Sequence, residues 1–145
     1  YETFIKIIKI YLDILGFKNI SPLNSDDNNL TDFKCISNTD SILVSCTQNS
    51  LYGKEAKDED DWETTGRPEI QSFLARMYIN DCKKGIFITN SYFSDLAIEF
   101  VDNFNNKNQD VEIKLINGYE LTKSIRNHKY YILKEELLNE TKYNI

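Results

Sequence analysis

The chain has 145 residues, a hydrophobic fraction of 41% and a formal net charge of −6. This length suits one domain with one core, and the apolar content excludes a disordered chain. No apolar run approaches the roughly 20 residues of a membrane-spanning helix, and no signal-peptide pattern is present. The negative charge argues against strong DNA binding by the domain alone, because proteins that grip phosphates usually present a basic surface.

The cysteines are few and widely spaced: Cys35, Cys46 and Cys82, with His128 as the one histidine. A structural zinc site needs four Cys or His ligands in paired clusters, which this spacing does not offer. The thiols are typical of buried or half-buried cysteines in a reducing, intracellular compartment. We assign His128 no chemical role.

The first half of the chain predicts one helix and two strands. The helix ends at Gly16, and its apolar residues recur at three- and four-residue spacing: Phe4, Ile7, Ile8, Tyr11, Leu12 and Leu15. Residues 22–31 predict a polar loop, and strands follow at Asp32–Ser37 and Ser41–Thr47. Residues 48–65 form a long polar connection. Its acidic stretch, residues 55–63, is either a solvated loop or a contact surface for a basic protein partner.

The second half alternates helices and strands. Gly66, Arg67, Pro68 and Glu69 predict the start of the second helix, whose apolar stripe is Ile70, Phe73, Leu74, Met77 and Tyr78. Then come a buried strand at Gly85–Thr89, a third helix capped by Ser94, a strand at Val111–Ile116 and a helix from Tyr119 to about Asn127. The order predicts an α/β fold, a mixed sheet flanked by helices. The strands on either side of the third helix should be parallel.

We assign residues 1–127 to one domain and residues 128–145 to a C-terminal helical tail.

The local sequence around the second helix and the strand that follows it resembles the Mrr-type catalytic domain of restriction endonucleases. The specific part comprises Gly66-Arg67-Pro68-Glu69-Ile70-Gln71, Lys83-Lys84-Gly85-Ile86-Phe87-Ile88-Thr89-Asn90-Ser91, Phe93-Ser94 and Ala97-Ile98-Glu99. Leu115-Ile116-Asn117-Gly118-Tyr119-Glu120-Leu121 is similar to that family's last strand and the turn that follows, and Tyr1-Glu2 with Leu15-Gly16-Phe17 to its first helix. The resemblance implies a restriction-endonuclease-like fold and DNA as the associated molecule.

The resemblance also implies a nuclease site, built in that family from an Asp on one strand and a Gln- or Glu-x-Lys pair on the next. The acids hold Mg²⁺ and the lysine orients the attacking water. Aligned by pattern, the Asp falls on Asp32. On the next strand, Ile42, Val44 and Cys46 alternate with Leu43, Ser45 and Thr47, and the first set belongs in the core. The family's Gln/Glu and Lys positions therefore read Ser45 and Thr47.

Compared with the family pattern, this chain lacks both a metal ligand and a positive charge. Ser45 is a poor Mg²⁺ ligand, and Thr47 carries no charge where the family has a lysine. A metal would retain Asp32 and the Cys46 carbonyl. Glu2 and Gln71 resemble positions that border the family's site. Each candidate also has a plain structural interpretation: Asp32 as an acid at a strand start, Glu2 as a surface residue paired with Lys6, and Gln71 in the packing of the second helix.

Three functions follow from these residues. The first is a DNA-associated nuclease-fold domain with an impaired site, acting within a larger protein or complex. The second is an active Mg²⁺-dependent endodeoxyribonuclease whose lysine has migrated to Lys34, Lys54 or Lys57. The third is a protein-interaction module that uses the acidic residues 55–63. Cysteine or serine hydrolase chemistry is set aside, because no histidine lies near a candidate nucleophile.

Overall fold

The computed structural model describes residues 1–26, 30–49 and 64–127. The helices are α1 (Glu2–Ile14), α2 (Arg67–Ile79), α3 (Asp95–Lys107) and α4 (118–127). The strands are β1 (Lys18–Asp26), β2 (Leu30–Ser37), β3 (Asp40–Thr47), β4 (Thr64–Thr65), β5 (Lys84–Thr89), β6 (Tyr92–Phe93) and β7 (Glu112–Ile116). The tail over 128–145, including the further helix predicted there, and the acidic residues 55–63 lie outside the described residues.

Five strands form a mixed sheet in the order β1-β2-β3-β5-β7, and β4 and β6 form a separate parallel pair. β1, β2 and β3 pair antiparallel, as successive hairpin-linked strands do. β3, β5 and β7 pair parallel, because α2 and α3 cross over between them. The mixed α/β fold and the parallel pairing of β5 with β7 predicted from the sequence are confirmed.

The sheet separates two apolar cores. On one face α1 packs through Phe4, Ile8, Tyr11 and Leu12 against the set Ile42, Val44 and Cys46 of β3. On the other face α2 and α3 pack against Leu43 and Phe87. The residues of β3 that share a face with Leu43 are Ser45 and Thr47, so these two lie on the α2 side of the sheet. The face assignment made from the alternation of β3 is confirmed.

The polar loop predicted over residues 22–31 is wrong, because β1 continues through this region to Asp26 and pairs with β2. β1 is an edge strand with two irregularities in its register, and its side chains at 21–23 are exposed, so no apolar alternation marks it. Pro22 fits there, because an edge strand has unpaired backbone groups on one side. Two residues of the predicted helix stripes are also exposed, Leu15 at 41% and Tyr78 at 85%.

Local capping sets where the helices begin and end. Glu69 accepts a hydrogen bond from the Gly66 backbone N–H at the start of α2, at 3.1 Å, and Ser94 accepts one from the Ala97 N–H at the start of α3, at 3.2 Å. After α1, Gly16 adopts a φ of 82°, and the N–H groups of residues 16 and 17 bond to the last carbonyls of the helix. These starts and stops were predicted from the sequence and are confirmed.

A glycine on β5 lets α2 lie directly on the sheet. A Cβ built on Gly85 would lie 2.8 Å from the Phe73 ring and closer still to the Met77 sulfur. Both of these α2 residues are fully buried. The axial position of α2 over the sheet therefore depends on Gly85. No helix among the described residues is long and apolar enough to cross a membrane.

We expect Gly85→Ala to lower the free energy of unfolding by about 1–3 kcal/mol, because overpacking moves buried side chains off their rotamers. Urea unfolding followed by circular dichroism measures the loss. The matched control is Gly66→Ala, where the new Cβ would lie nearest the movable Glu69 carboxylate, at 3.2 Å, and would otherwise make ordinary contacts at 3.5 Å or more. An equal or larger loss for Gly66→Ala would contradict this role of Gly85.

Candidate active site

Asp32 and Ser45 face each other across the antiparallel pair of β2 and β3. Directly opposed residues of such a pair project to the same side of the sheet. Both are buried, with Asp32 3% exposed and Ser45 fully covered. The sequence placed these two residues in one site, and the structure brings them together.

The third member of the site is Arg76 on α2. Its Nε donates to Asp32 Oδ2 at 2.7 Å, and its Nη2 donates to Asp32 Oδ1 at 3.4 Å and to Ser45 Oγ at 3.1 Å. Its Nη1 donates to Ser72 Oγ, one helical turn earlier, at 3.0 Å. The guanidinium therefore spans the sheet and the helix, in contact with both oxygens of the carboxylate and with the Ser45 hydroxyl.

Thr47 lies farther along β3, at the wall of a pocket of about 440 Å³. It is half-buried, whereas Cys46 beside it is fully buried and donates its thiol hydrogen to the Thr31 carbonyl, at 3.4 Å. The polar residues that line the pocket are Thr47, Asn49, Thr64, Thr65, Glu69, Ser72 and Arg76. The alternation thus points Thr47 to the side of the sheet where Arg76 lies.

A hydrogen-bonded network borders this pocket at the carboxyl ends of β3 and β5. Asn49 donates to Ser91 at 2.7 Å and to Thr65 at 3.2 Å, and Thr65 donates to Thr89 at 3.1 Å. Every buried side-chain nitrogen and oxygen of the described residues has a hydrogen-bond partner. These hydrogen bonds therefore hold the side chains of the network in place, and their polar atoms bond to other groups of the protein.

Glu2 and Gln71, the predicted bordering residues, do not join Asp32. Glu2 is exposed at the start of α1, on the opposite side of the sheet from α2. Gln71 is exposed on α2, outside the set of described residues that line the pocket. The interpretation of Glu2 as a surface residue agrees with this placement, whereas Gln71 is exposed and does not have the packing position expected of it. The catalytic role of both residues stays a prediction.

Lys34 shares the strand face of Asp32, as the migrated-lysine hypothesis requires, but its ammonium group is engaged elsewhere. Its Nζ donates to the Asn80 carbonyl at the C-terminal end of α2, at 3.1 Å. A cation is favoured there by the negative end of the helix dipole. Lys54 and Lys57, the other two candidates, lie outside the described residues.

The residues present do not fit a divalent metal. Both oxygens of Asp32 accept hydrogen bonds from Arg76, and the Glu69 carboxylate caps α2. Cys46 lies on a strand flanked on both sides, and such a strand commits its carbonyls to the sheet. Among residues 1–26, 30–49 and 64–127, no cluster of three or more acidic, His or Cys side chains is placed to hold a metal.

The Cys46 thiol beneath Asp32 is also held neutral. Burial, together with the smaller effect of the nearby Asp32 charge, raises the pKa of Cys46 to about 12. Burial likewise raises the pKa of Cys35 to about 11. Neither thiol supplies a thiolate at neutral pH for ligation or nucleophilic attack.

The sequence reasoning missed Arg76, Ser72 and Glu69. The sequence analysis assigned Arg76 no role, although it sits between Phe73 and Met77 of the buried stripe. A charged residue within an apolar helix stripe was the available signal. Its partner Asp32 is 44 residues away in sequence, so local pattern alone does not indicate the pair.

The restriction endonuclease family model, Mrr_cat, matches residues 1–125. The chain therefore belongs to the Mrr-type restriction endonuclease family, in agreement with its mixed sheet. No curated protein matches the chain.

We expect Arg76→Met to lower the free energy of unfolding by about 3–5 kcal/mol, because it leaves the Asp32 carboxylate buried without a counter-charge. Adding Asp32→Asn should restore part of the loss, with a coupling of about 0.5–3 kcal/mol. Urea unfolding of the two single variants and the double variant gives the coupling energy.

The matched control is a second cycle on the exposed pair of Lys84 and Asp40, whose Nζ–Oδ2 distance is 2.9 Å. Solvent screens that pair, so its coupling should be smaller than that of the buried pair. Equal coupling in the two cycles would show that burial adds nothing to the Asp32–Arg76 interaction.

A pH dependence follows from the thiols. The ordinary pKa of a cysteine is 9.0, below the folded values of Cys35 and Cys46. As pH rises above that value, the unfolded chain releases thiol protons that the folded chain retains, so the free energy of unfolding falls. Urea midpoints at about pH 8 and about pH 10 should show this loss, and Cys46→Ala should reduce it. The same loss in Cys46→Ala would exclude this thiol as a cause.

Proposed function

We propose that this chain is a DNA-associated nuclease-fold domain with an impaired hydrolytic site, which serves as a binding or scaffolding part of a larger protein or complex. The observation that carries the proposal is the side-chain set at the family's site. It consists of one carboxylate, Asp32, a guanidinium bonded to it, and the neutral Ser45 and Thr47.

The first support is electrostatic. Hydrolysis of a phosphodiester places extra negative charge on the reacting phosphate, which nucleases of this family meet with a metal and a lysine. Here Thr47 is uncharged, and the Arg76 charge is matched by the Asp32 carboxylate. Removing a single preorganised stabilising contact typically costs about 10²–10³ in rate. Two such contacts are replaced here.

The second support concerns the affinity for DNA. Arg76 and Glu69 are the charged residues among those that line the pocket, and Asp32 lies directly against Arg76. Their charges sum to a local excess of one negative charge, which opposes a phosphate. Together with the net charge of −6, this favours weak DNA binding by the domain alone and association through a larger assembly.

The two alternative functions receive less support. An active enzyme with a migrated lysine would need an ammonium group beside Asp32, and Lys34 bonds instead to the Asn80 carbonyl. A protein-interaction module would use the acidic residues 55–63, which are outside the described part of the chain. We therefore retain the impaired nuclease domain as the proposed function.

We expect the unsubstituted domain to show no Mg²⁺- or Mn²⁺-dependent cleavage of duplex DNA. Ser45→Glu with Thr47→Lys should stay inactive, because Arg76 would pair with the new carboxylate as well. The same two changes with Arg76→Ala should gain cleavage, and Asp32→Ala should abolish that gain. Cleavage of a labelled duplex on a denaturing gel measures each step, with fluorescence anisotropy on the same duplex to measure binding separately.

A different result would support the migrated lysine. Cleavage by the unsubstituted domain that is lost in Lys34→Ala and unchanged by substitution of Thr47 would establish the migrated lysine. It would refute an impaired site.

A further inference from the structure

The buried position of Asp32 requires a positively charged group in contact with its carboxylate. The carboxylate is 3% exposed, and a buried carboxylate without a counter-charge is strongly disfavoured. In a site that takes a metal, the metal supplies that charge. In this chain the partner is a side chain, since both Asp32 oxygens accept from the Arg76 guanidinium, at 2.7 and 3.4 Å.

The guanidinium also fits the neutral residue across the sheet. A divalent ion balances two carboxylates, whereas a single positive charge balances one. Opposite Asp32 the chain has Ser45, a fully buried hydroxyl that accepts from Arg76 Nη2 at 3.1 Å. The formal charges of the Asp32, Ser45 and Arg76 side chains therefore sum to zero. Hydrogen bonds join Arg76 to both of the other side chains.

Arg76 cannot leave this position freely. It lies on α2 between Phe73 and Met77, which are fully buried and in contact with the sheet at Gly85. Ser72 holds the remaining end of the guanidinium at 3.0 Å, and the group lies over the Phe73 ring at 5.7 Å.

We propose that Arg76 is an intramolecular cation that stands in the place of a metal ion against Asp32 and Ser45, and thereby closes this site to divalent cations. This deepens the proposed function and rests on it, because it names the residue that makes the site unreceptive. Asp32 then serves as the anchor of α2 on the sheet, and Arg76 is a positioning residue rather than a catalytic one.

The test is Mn²⁺ binding to the whole chain, measured by the electron paramagnetic resonance signal of free Mn²⁺ and by the shift of the thermal midpoint at matched ionic strength. The unsubstituted protein should show no binding that depends on Asp32. Ser45→Asp, which adds a second carboxylate but retains Arg76, should also show none. Ser45→Asp with Arg76→Ala should bind at least about tenfold more tightly than Ser45→Asp alone, and Asp32→Asn should abolish that binding.

A second variant removes the charge of Arg76 in case the variant with Arg76→Ala does not fold. Arg76→Gln keeps a hydrogen-bonding side chain on α2 without the cation, and with Ser45→Asp it should show the same gain in affinity. Circular dichroism at each step establishes that the compared variants are folded.

Two results would overturn the proposal. One is Mn²⁺ binding by the unsubstituted protein that is lost in Asp32→Asn. The other is a folded Ser45→Asp variant that gains no affinity when Arg76 is replaced by Ala or by Gln.

Each of these readouts is independent of DNA cleavage. If the unsubstituted domain cut DNA while binding no Mn²⁺ at Asp32, the proposed function would fail and the role of Arg76 would stand. If it bound Mn²⁺ at Asp32 without cutting, the role of Arg76 would fail and the impaired function would stand.

Discussion

The ion pair between Asp32 and Arg76 is the interaction on which the α2 side of the sheet depends. It joins the middle of β2 to the C-terminal half of α2, with one partner almost fully buried and the other 20% exposed. A buried pair of this kind adds little net stability compared with apolar packing, but losing one partner is costly. The pair therefore acts mainly as a constraint, since α2 must be placed where the guanidinium reaches both carboxylate oxygens.

Apolar packing makes that placement possible. Gly85 permits close approach of Phe73 and Met77 to β5, and this approach sets the height of α2 above the sheet. The Phe73 ring meets Phe87 edge-to-face, with centroids 5.3 Å apart. Arg76 is thus flanked along the helix by residues that are fixed in the core. The polar contact and the apolar contacts specify the same position of α2, which is the consistency expected of a uniquely folded chain.

The sequence predicted the parts of this fold that have a local signal. The apolar runs of β3 and β5 and the caps at Gly66 and Ser94 are readable from short windows, and they were found at about the right positions. β1 was missed because its exposed edge residues lack alternation. Family resemblance alone suggested Asp32, Ser45 and Thr47 as site candidates, since no spacing rule indicates them. It gave no hint of Arg76, because the contact with Asp32 exists only once β2 and α2 are brought together.

Membership of the nuclease family and the chemistry of the site carry different information. The fold requires the sheet and the crossover helices, and these are present. Catalysis requires charges that are free to act on a phosphate, and the charge of Arg76 is matched within the protein. A buried carboxylate in a nuclease-family domain is therefore not by itself a sign of catalysis. In this chain Asp32 has a sufficient structural reason to be retained, because replacing it alone would leave Arg76 facing a buried wall without its partner.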